Sequence, residues 1–557
     1  MNLTFKDRLL PHLLRRVPEI LDTYDPATGR FGEGIWIVQD QNVVLPLAVA
    51  YAWEADETPY RGDADLLEVI TRAGEALIAD TDDIGKWVFR KKDGSTWEDI
   101  WMPWTYSRWV RAFGLVRDAM APERRKAWAE ALTLGYTGIS GHALGHVHNI
   151  PTHHAMGLYA AGKALGRPEW CEQSADFMMK AIGEQSEGGY WSEGGGPVVL
   201  YNFVYVEAIG TYYAMSGDER VLPALERAAA YHRHFTYPGG QSVETIDQRN
   251  PYHDTVREGN VGFTICPAGR AFLHNQWQRL GEWKLSADLI AALLLHGHEG
   301  PMEEAPADGE GHRFVLTEDG ADRAMTLRNS PWFACLSAYA CPVLQNRWIQ
   351  DRQSFISLWH DRVGLILGGG NTKLQPAWST FTVGDTGLLQ HTQGDIAPDF
   401  EPKGELTHIP SAVTLVREPQ PGLDLAYGPE TCRVRLAFDG GRTATCRLEA
   451  TCQSGLPVVA HLTLIPHLGE PLETGGGATC VLGEAPIEWS AEQVGGWVTH
   501  AGCRLTLPEC ASLHWPALPH NPYRKDGHAE VAEGRLEVRI PFDAEHGAHE
   551  VGVEVVG

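Results

Sequence analysis

The chain has 557 residues, 43% of them hydrophobic and 21% charged, which is an ordinary composition for a globular protein of two or three domains. Its 72 Asp and Glu residues outnumber its 46 Lys and Arg residues, giving a formal net charge of −26. This acidity argues against nucleic acid, anionic membranes and densely sulfated polyanions as partners, whereas a sparsely charged oligosaccharide remains compatible.

The N-terminal segment contains no apolar run long enough for a secretion signal, because Lys6, Asp7, Arg15 and Arg16 interrupt it. No other apolar run approaches the length of a membrane span. The 10 cysteines form no CxxC pair, which disfavours a zinc ribbon or a disulfide framework. We therefore expect a cytoplasmic protein with reduced thiols, and the sequence leaves open whether it forms a homo-oligomer.

Apolar residues at three- and four-residue spacing predict a helical first half. The predicted helices span residues 4–23, 41–54, 63–79, 99–119, 122–136, 151–165, 168–184, 199–215, 219–234, 267–279 and 283–296. Successive helices of similar length form antiparallel hairpins, which either stack as a solenoid or close into an α/α toroid. Because the sequence shows no fixed repeat, we favour a complete or incomplete toroid.

The pattern changes after the acidic segment at 298–312, which contains Pro and Gly residues. Beyond it, segments such as RFVLTE, CRVRLAF and RLEVRIP alternate polar and apolar residues between turns, as antiparallel strands do. We therefore predict an α+β multidomain protein, with an α/α-toroid catalytic domain at 1–300 and an antiparallel β-sandwich at 312–557.

The segment from His148 to Tyr205 concentrates functional groups. It begins with HNIPTHH at the start of an apolar helix, and a glycine-rich turn containing Glu193 then introduces a helix with Tyr201 and Tyr205. Amides, imidazoles, carboxylates and phenols can together remove a proton next to a carboxylate and protonate a leaving oxygen. The combination indicates carbohydrate chemistry.

The pair HNIPTHHAMGLYAAGKALG and GYWSEGGGPVVLYNFVYVEAI resembles the toroid of heparinase II/III-like and alginate-type polysaccharide lyases. In that family an Asn-His motif opens one helix, a turn with Gly and Glu introduces a second helix with the catalytic Tyr, and a β-domain follows. The resemblance implies that Tyr201 is that Tyr and that Asn149 contacts the substrate carboxylate. Ile150 stands where the family has His, so the imidazole role falls to His148, His153 or His154.

Each of these residues also has a purely structural interpretation. Asn149, two residues before a proline, is either a helix N-cap or an amide that binds a uronate carboxylate as the enolate forms. His153 lies four residues later on the same helix face. Tyr201 and Tyr205 form a stripe that is usually core, but the preceding glycines leave Glu193 near the start of their helix. We take Tyr205 and Glu193 as substrate-binding candidates.

The histidines between 142 and 154 are crowded, and His142 and His146 have the spacing of metal ligands. No HExxH motif and no neighbouring acidic ligand accompanies them, so we predict no metal. The sequence also contains no dinucleotide-binding fingerprint, and we predict no cofactor.

Other candidates for substrate binding lie outside this segment. Sugars stack their C–H faces on indole rings, which makes Trp101 and Trp104 candidates, although helix core is the alternative for both. The polar loop DQRNPYHD supplies Arg249 as a carboxylate ligand, together with Tyr252 and His253. In the predicted β-domain the candidates are His360, Asn371, Lys373 and Gln375.

The combined pattern predicts a polysaccharide or oligosaccharide lyase that cleaves a uronic-acid-containing glycan by β-elimination. Donors such as Asn149, an imidazole or Arg249 would neutralise the carboxylate, and Tyr201 or a histidine would remove the adjacent proton.

Two alternatives stay open. One is an α/α-toroid glycoside hydrolase that uses a carboxylate pair, namely Glu193 with Asp99 or Asp247. The other is a glycan-binding protein without catalysis, which would keep the aromatic platform. The two enzymes differ in their products, because only elimination makes an unsaturated uronate.

Overall fold

The structure is a computed structural model. It describes all residues except 33–39, 55–57, 92–93, 194, 250–253, 305–311, 341–342, 349–355, 369–373, 389–393, 439–440 and 557. The chain divides into two units. The helical unit comprises Met1–Trp191, Leu200–Arg233 and Val256–Glu304, and the strand-rich unit comprises Ser192–Val199, His234–Thr255 and Ala305–Gly557.

Two short segments from the first half of the chain therefore belong with the strand-rich unit. They are Ser192–Val199 and His234–Thr255, which contain the Glu193 turn and the first part of the DQRNPYHD loop. The domain bounds 1–300 and 312–557 stay a prediction and do not anticipate this exchange of segments.

The predicted helical first half is confirmed, with bounds close to those expected from periodicity. The helices are α1 (Lys6–Leu21), α2 (Val44–Ala52), α3 (Ala64–Asp80), α4 (Pro103–Val116), α5 (Pro122–His142), α6 (Asn149–Leu165), α7 (Pro168–Gly183), α8 (Val199–Ser216), α9 (Leu222–His234), α10 (Pro267–Leu280) and α11 (Ala287–His296). No helix in the described ranges is long and apolar enough to cross a membrane.

Burial separates these helices into inner and outer ones. In α2 every residue from Val44 to Ala50 is buried, and α4 and α6 are buried at most positions. In α1, by contrast, the buried residues Leu9, Leu13 and Val17 recur every four positions. A helix buried all round is surrounded by protein, whereas one with a single buried face lies outside. This is the double layer that an α/α toroid requires.

One predicted helix begins later than its apolar pattern indicates. The prediction of a helix over 99–119 is wrong at its start, because Thr96–Ile100 pairs with Trp87–Arg90 as a β-hairpin. The helix begins at Pro103, where proline fits the first helical position because no backbone donor is needed there.

Antiparallel strands make up most of the strand-rich unit, and the predicted sandwich is confirmed. The strands of the chain are β1 (Asn2–Leu3), β2 (Tyr24–Asp25), β3 (Arg30–Phe31), β4 (Trp87–Arg90), β5 (Thr96–Ile100), β6 (Gly300–Pro301), β7 (His312–Glu318), β8 (Ala321–Asn329), β9 (Trp332–Ser337), β10 (Ile356–His360), β11 (Gly364–Leu367), β12 (Phe381–Val383), β13 (Ala412–Val416), β14 (Gly422–Tyr427), β15 (Glu430–Phe438), β16 (Thr443–Ala450), β17 (Val458–Leu464), β18 (Pro471–Thr474), β19 (Thr479–Val481), β20 (Ile487–Trp489), β21 (Trp497–His500), β22 (Cys503–Thr506), β23 (Ser512–Ala517), β24 (Arg535–Phe542) and β25 (Ala548–Val555).

Two large sheets enclose the core of this unit. One has the order β20-β23-β24-β17-β11-β10-β9-β8-β7 with β12 also paired to β17, and the other has the order β13-β14-β15-β16-β25-β22-β21-β18-β19. Alternate residues such as Val434, Leu436 and Val553 point into one hydrophobic cluster. The period of two in these strands is therefore the signal that made them predictable. A short helix, α12 (Ala491–Val494), lies between β20 and β21.

Helix packing in the helical unit depends on glycines at close approaches. A Cβ on Gly74 of α3 would overlap the ring of the buried Trp128 on α5. We expect Gly74→Ala to destabilise the protein by roughly 1–3 kcal/mol, as overpacking usually does. Thermal unfolding followed by circular dichroism measures this change as a lower Tm.

Gly114→Ala is the matched control, because Gly114 also lies within a helix and a Cβ there would have no neighbour within 4 Å. This substitution should raise stability by up to about 1 kcal/mol through its higher helix propensity. An unchanged Tm in Gly74→Ala would contradict the close packing of α3 and α5.

Candidate active site

The predicted Asn-His segment forms the start of α6. His148 is the N-cap residue, has an extended backbone and makes no side-chain cap hydrogen bond. The Thr152 amide and hydroxyl both donate to the His148 carbonyl, at 3.0 and 2.7 Å. Asn149 is therefore the first helical residue, and its interpretation as the N-cap is wrong. The positive end of the helix dipole lies beside its amide.

Burial divides the four polar residues of this segment into two pairs. His148 is exposed and Asn149 is partly exposed, whereas His153 and His154 have only 0% and 3% of their surface exposed. Burial lowers the pKa of both buried imidazoles, that of His154 to about 3. In this structure His148 and Asn149 are accessible to a substrate, and His153 and His154 present no surface to it.

The two tyrosines of α8 also differ in exposure. Tyr201, in the first turn, is partly exposed. Tyr205 is 1% exposed, and its ring stacks on Trp191 with centroids 4.9 Å apart. The Trp191 amide in turn donates to Asn202 Oδ1 at 3.0 Å. Tyr205 is therefore a core residue and not a ligand contact, because the aromatic stripe packs its second member inward.

Four helices of the helical unit contribute to a charge cluster that is largely buried, Asp288 being 27% exposed and Glu207 17%. Its members are Arg108 and Arg111 of α4, His153 of α6, Glu207 of α8 and Asp288 of α11. Arg108 Nε donates to both Asp288 oxygens at 2.8 and 2.7 Å, and Arg108 Nη2 lies 3.4 Å from Glu207 Oε1. His153 Nε2 is 3.8 Å from the same Glu207 oxygen. The cluster ties the Tyr201 helix to its neighbours.

Glu207 stays ionised within this cluster. Burial opposes its ionisation, but the adjacent Arg108 and His153 outweigh burial and lower its pKa to about 2. Sequence reasoning missed Arg108, Glu207 and Asp288. The available signal was a carboxylate within the apolar helix α8, because charged residues are rarely buried unless they are paired.

The tryptophan candidates have different environments. Trp101 is 9% exposed, its indole N–H donates to the Ile84 carbonyl at 2.9 Å, and its ring stacks on His142. Trp104 is partly exposed and lies against His153, with ring centroids 5.9 Å apart. Trp101 is therefore better described as core, while Trp104 retains a surface for a sugar ring.

In the strand-rich unit, two predicted residues form an ion pair. Arg249 Nη1 lies 3.3 Å from Glu193 Oε2, and the guanidinium covers the Trp348 ring at 3.9 Å from its centroid. Asp247 holds this loop in place, since its Oδ1 accepts from the Arg249 amide at 2.8 Å and its Oδ2 from the Val199 amide at 2.9 Å. Val199, Asp247 and Arg249 all belong to the strand-rich unit, so these hydrogen bonds order the loop within that unit.

These contacts give Glu193 and Asp247 structural roles. Glu193 is 6% exposed and neutralises Arg249, and both Asp247 oxygens bind backbone amides. A hydrolase needs one carboxyl group to protonate the leaving oxygen and another to attack or activate water. The Glu193–Asp247 pair is thus poorly suited to hydrolysis.

Of the candidates in the second half of the chain, the structure describes His360 and Gln375. His360 is 4% exposed, packs on Trp332 and accepts from the Arg362 amide at 3.1 Å. Gln375 Nε2 donates to the Leu518 carbonyl at 2.9 Å. Both residues make structural contacts. The candidates without a described position are Tyr252, His253, Asn371 and Lys373.

No cluster of three or more His, Cys, Asp or Glu side chains suited to a metal ion occurs in the part of the chain that the structure describes. The crowded histidines between 142 and 154 instead make separate contacts. His146 and His148 contact each other with ring centroids 4.9 Å apart, and His142 lies on Trp101.

Comparison with solved structures gives the class of fold. A crystal structure of heparinase III superposes with a TM-score of 0.54 over 92% of this chain and 76% of that chain, at 11% sequence identity. A second structure, of a heparinase III gene product, gives a TM-score of 0.50 over 100% and 84% of the two chains, also at 11% identity. No protein-family model and no curated protein sequence matches the chain. The chain has a heparinase III-like polysaccharide lyase fold, as its motifs predicted.

Proposed function

We propose that the protein is a polysaccharide or oligosaccharide lyase that cleaves a uronic-acid-containing glycan by β-elimination. One observation carries this proposal: Asn149 and Tyr201 are both partly exposed, and each lies in the first turn of an inner helix. In a toroid of antiparallel hairpins α6 and α8 run parallel, so their starts lie at the same end of the helical unit. The heparinase III-like fold supports the same assignment.

The reaction removes a proton whose acidity depends on the neighbouring carboxylate. Asn149 and the positive end of α6 are suited to bind that carboxylate and to stabilise the enolate that forms. Tyr201, acting as its phenolate, then accepts the proton from the carbon next to the carboxylate, the bond to the glycosidic oxygen breaks with its electron pair, and a double bond forms. His148 is exposed and directly precedes Asn149 in the sequence. It is therefore the imidazole to which we assign protonation of the departing oxygen.

The charge of the protein narrows the substrate class. With a net charge of −26, attraction of a polyanion over long distances is unfavourable, and recognition must rely on local donors. We propose a glycan with isolated uronate groups as substrate. The cytoplasmic location stays a prediction, and it favours oligosaccharides over intact polymers.

The experiment that tests the proposal incubates the protein with a panel of uronic-acid oligosaccharides. Elimination gives a conjugated unsaturated uronate, so near-ultraviolet absorbance should rise together with the number of new reducing ends. New reducing ends without absorbance would support the hydrolase alternative. Binding without either change would support a glycan-binding protein.

A further inference from the structure

Arg111 of α4 is a buried cation whose outer nitrogens have no hydrogen-bond acceptor in the part of the chain that the structure describes. The residue is 7% exposed, and its Nε donates to the Ser107 carbonyl at 2.9 Å. Nη1 and Nη2 are buried, and neither finds a hydrogen-bond acceptor among the described residues. Burial, with the nearby Arg108, lowers the pKa of Arg111 to about 10, so the guanidinium remains charged at neutral pH. A buried charge in this state is costly unless something accepts its protons.

Two other buried residues of the helical unit, Tyr136 and His153, also have polar atoms without a hydrogen-bond partner among the described residues. The Cβ position of Gly157 on α6 lies 2.8 Å from Tyr136 Oη and 3.4 Å from Ser107 Cβ, so α4, α5 and α6 meet there. Tyr136 Oη and both ring nitrogens of His153 are buried and have no partner within hydrogen-bonding distance in the described ranges, Glu207 being 3.8 Å from His153 Nε2. His153 precedes Gly157 by one helical turn and lies on the same face of α6.

The nearby carboxylates do not accept hydrogen bonds from the outer nitrogens of Arg111, although Glu207 Oε1 lies 3.8 Å from His153 Nε2. Asp288 and Glu207 both interact with Arg108, through contacts of 2.6 Å and 3.4 Å to its Nη2. The outer nitrogens of Arg111 only donate, whereas the Tyr136 hydroxyl and the neutral His153 ring each donate and accept, so donors outnumber acceptors among these groups. A water molecule brings two further donors, whereas an anion brings acceptors only.

We infer that Arg111, Tyr136 and His153 form a binding site for a small monovalent anion such as chloride inside the helical unit. Direct contact with the Arg111 guanidinium outweighs repulsion from carboxylates that Arg108 already holds, because the Coulomb energy falls with distance. The anion would join α4, α5 and α6 at the level of the buried charge cluster. This inference does not depend on the proposed lyase activity.

Thermal unfolding in chloride and gluconate salts at one ionic strength tests the inference, because gluconate is too large to enter a buried site. For a dissociation constant of about 10 mM, replacing gluconate by 100 mM chloride should raise Tm by roughly 1–3 °C, with saturation. Equal Tm values in the two salts at every concentration would overturn the inference.

Two variants separate this site from general salt effects. Arg111→Met removes the donors and should abolish the difference between chloride and gluconate. Arg124→Met is the control, because Arg124 binds Glu75 and Glu68 on the partly exposed side of α5 and should leave the difference intact. The same chloride response in Arg111→Met and in the unaltered protein would contradict the assignment.

Crystals of the unaltered protein grown in bromide give a test that does not require a folded Arg111 variant. We expect an anomalous scattering peak at hydrogen-bonding distance from Arg111 Nη1 or Nη2. Ordered water at that position without anomalous signal would refute the anion site. A protein that binds bromide there but cleaves no uronate glycan would retain this inference and lose the proposed function.

Discussion

Replacing Tyr201 by Phe is expected to lower kcat by roughly 10²–10⁴-fold, the usual contribution of a positioned acid or base, with little change in KM. The substitution keeps the ring in the first turn of α8 and removes only the hydroxyl that transfers the proton in the proposed mechanism. Initial rates are measured by near-ultraviolet absorbance, on an oligosaccharide that the unaltered protein cleaves.

Tyr205→Phe is the matched control, because it makes the same chemical change one turn later on the same helix. Tyr205 is 1% exposed and stacks on Trp191, so its ring is needed for packing and its hydroxyl is remote from solvent. We expect near-normal kcat for this variant. Near-normal turnover in Tyr201→Phe would remove Tyr201 from the mechanism and leave His148 as the better candidate for proton transfer.

The helices and strands could be predicted because their signals are local. Leu9, Leu13 and Val17 of α1 recur at four-residue spacing, and the strands of the sandwich alternate with a period of two. Each pattern reports which face of an element is buried, and this is enough to specify the class of fold. The motifs around Asn149 and Tyr201 then indicated the heparinase-like architecture.

The buried charge cluster could not be predicted, because its members are far apart in the chain. Two members of the cluster, Arg108 and Asp288, are separated by 180 residues. Outside the cluster, the paired residues Glu193 and Arg249 are separated by 56 residues. No spacing rule brings such residues together, since only the closure of helix layers or the packing of a loop does so. Sequence reasoning proposed Glu193 and Arg249 separately, and the structure shows that each neutralises the other.

The sequence also could not predict which residues at the start of α6 are exposed to solvent. His148 and His153 are five residues apart, yet one is exposed and the other fully buried, because the helix begins between them and turns the second inward. Periodicity places His153 on the same face as Asn149, but it does not say how deep along the helix axis solvent reaches. The depth of the site depends on the neighbouring helices.

Acidification should destabilise the helical unit well before its carboxylates protonate. Burial lowers the pKa of His154, His232 and His296 from 6.5 to about 3. Below pH 6.5 the unfolded chain binds protons at these positions and the folded protein does not. Stability is therefore fully present above pH 6.5 and is lost as pH falls toward about 3. Each histidine contributes about 1.4 kcal/mol per pH unit within this window.

We expect these three histidines to lower the free energy of unfolding by roughly 4 kcal/mol per pH unit below pH 6. Calorimetric scans from pH 8 to pH 5 measure the resulting fall in Tm. His154→Leu removes one buried imidazole, so the slope of its unfolding free energy against pH should be smaller by about 1.4 kcal/mol per pH unit than that of the unaltered protein. A Tm that stays constant between pH 7 and pH 5 would show that these imidazoles gain protons as readily when folded as when unfolded. The folded protein would then have to hold these imidazoles in their charged form without a paired carboxylate, contrary to the desolvation that burial imposes on them.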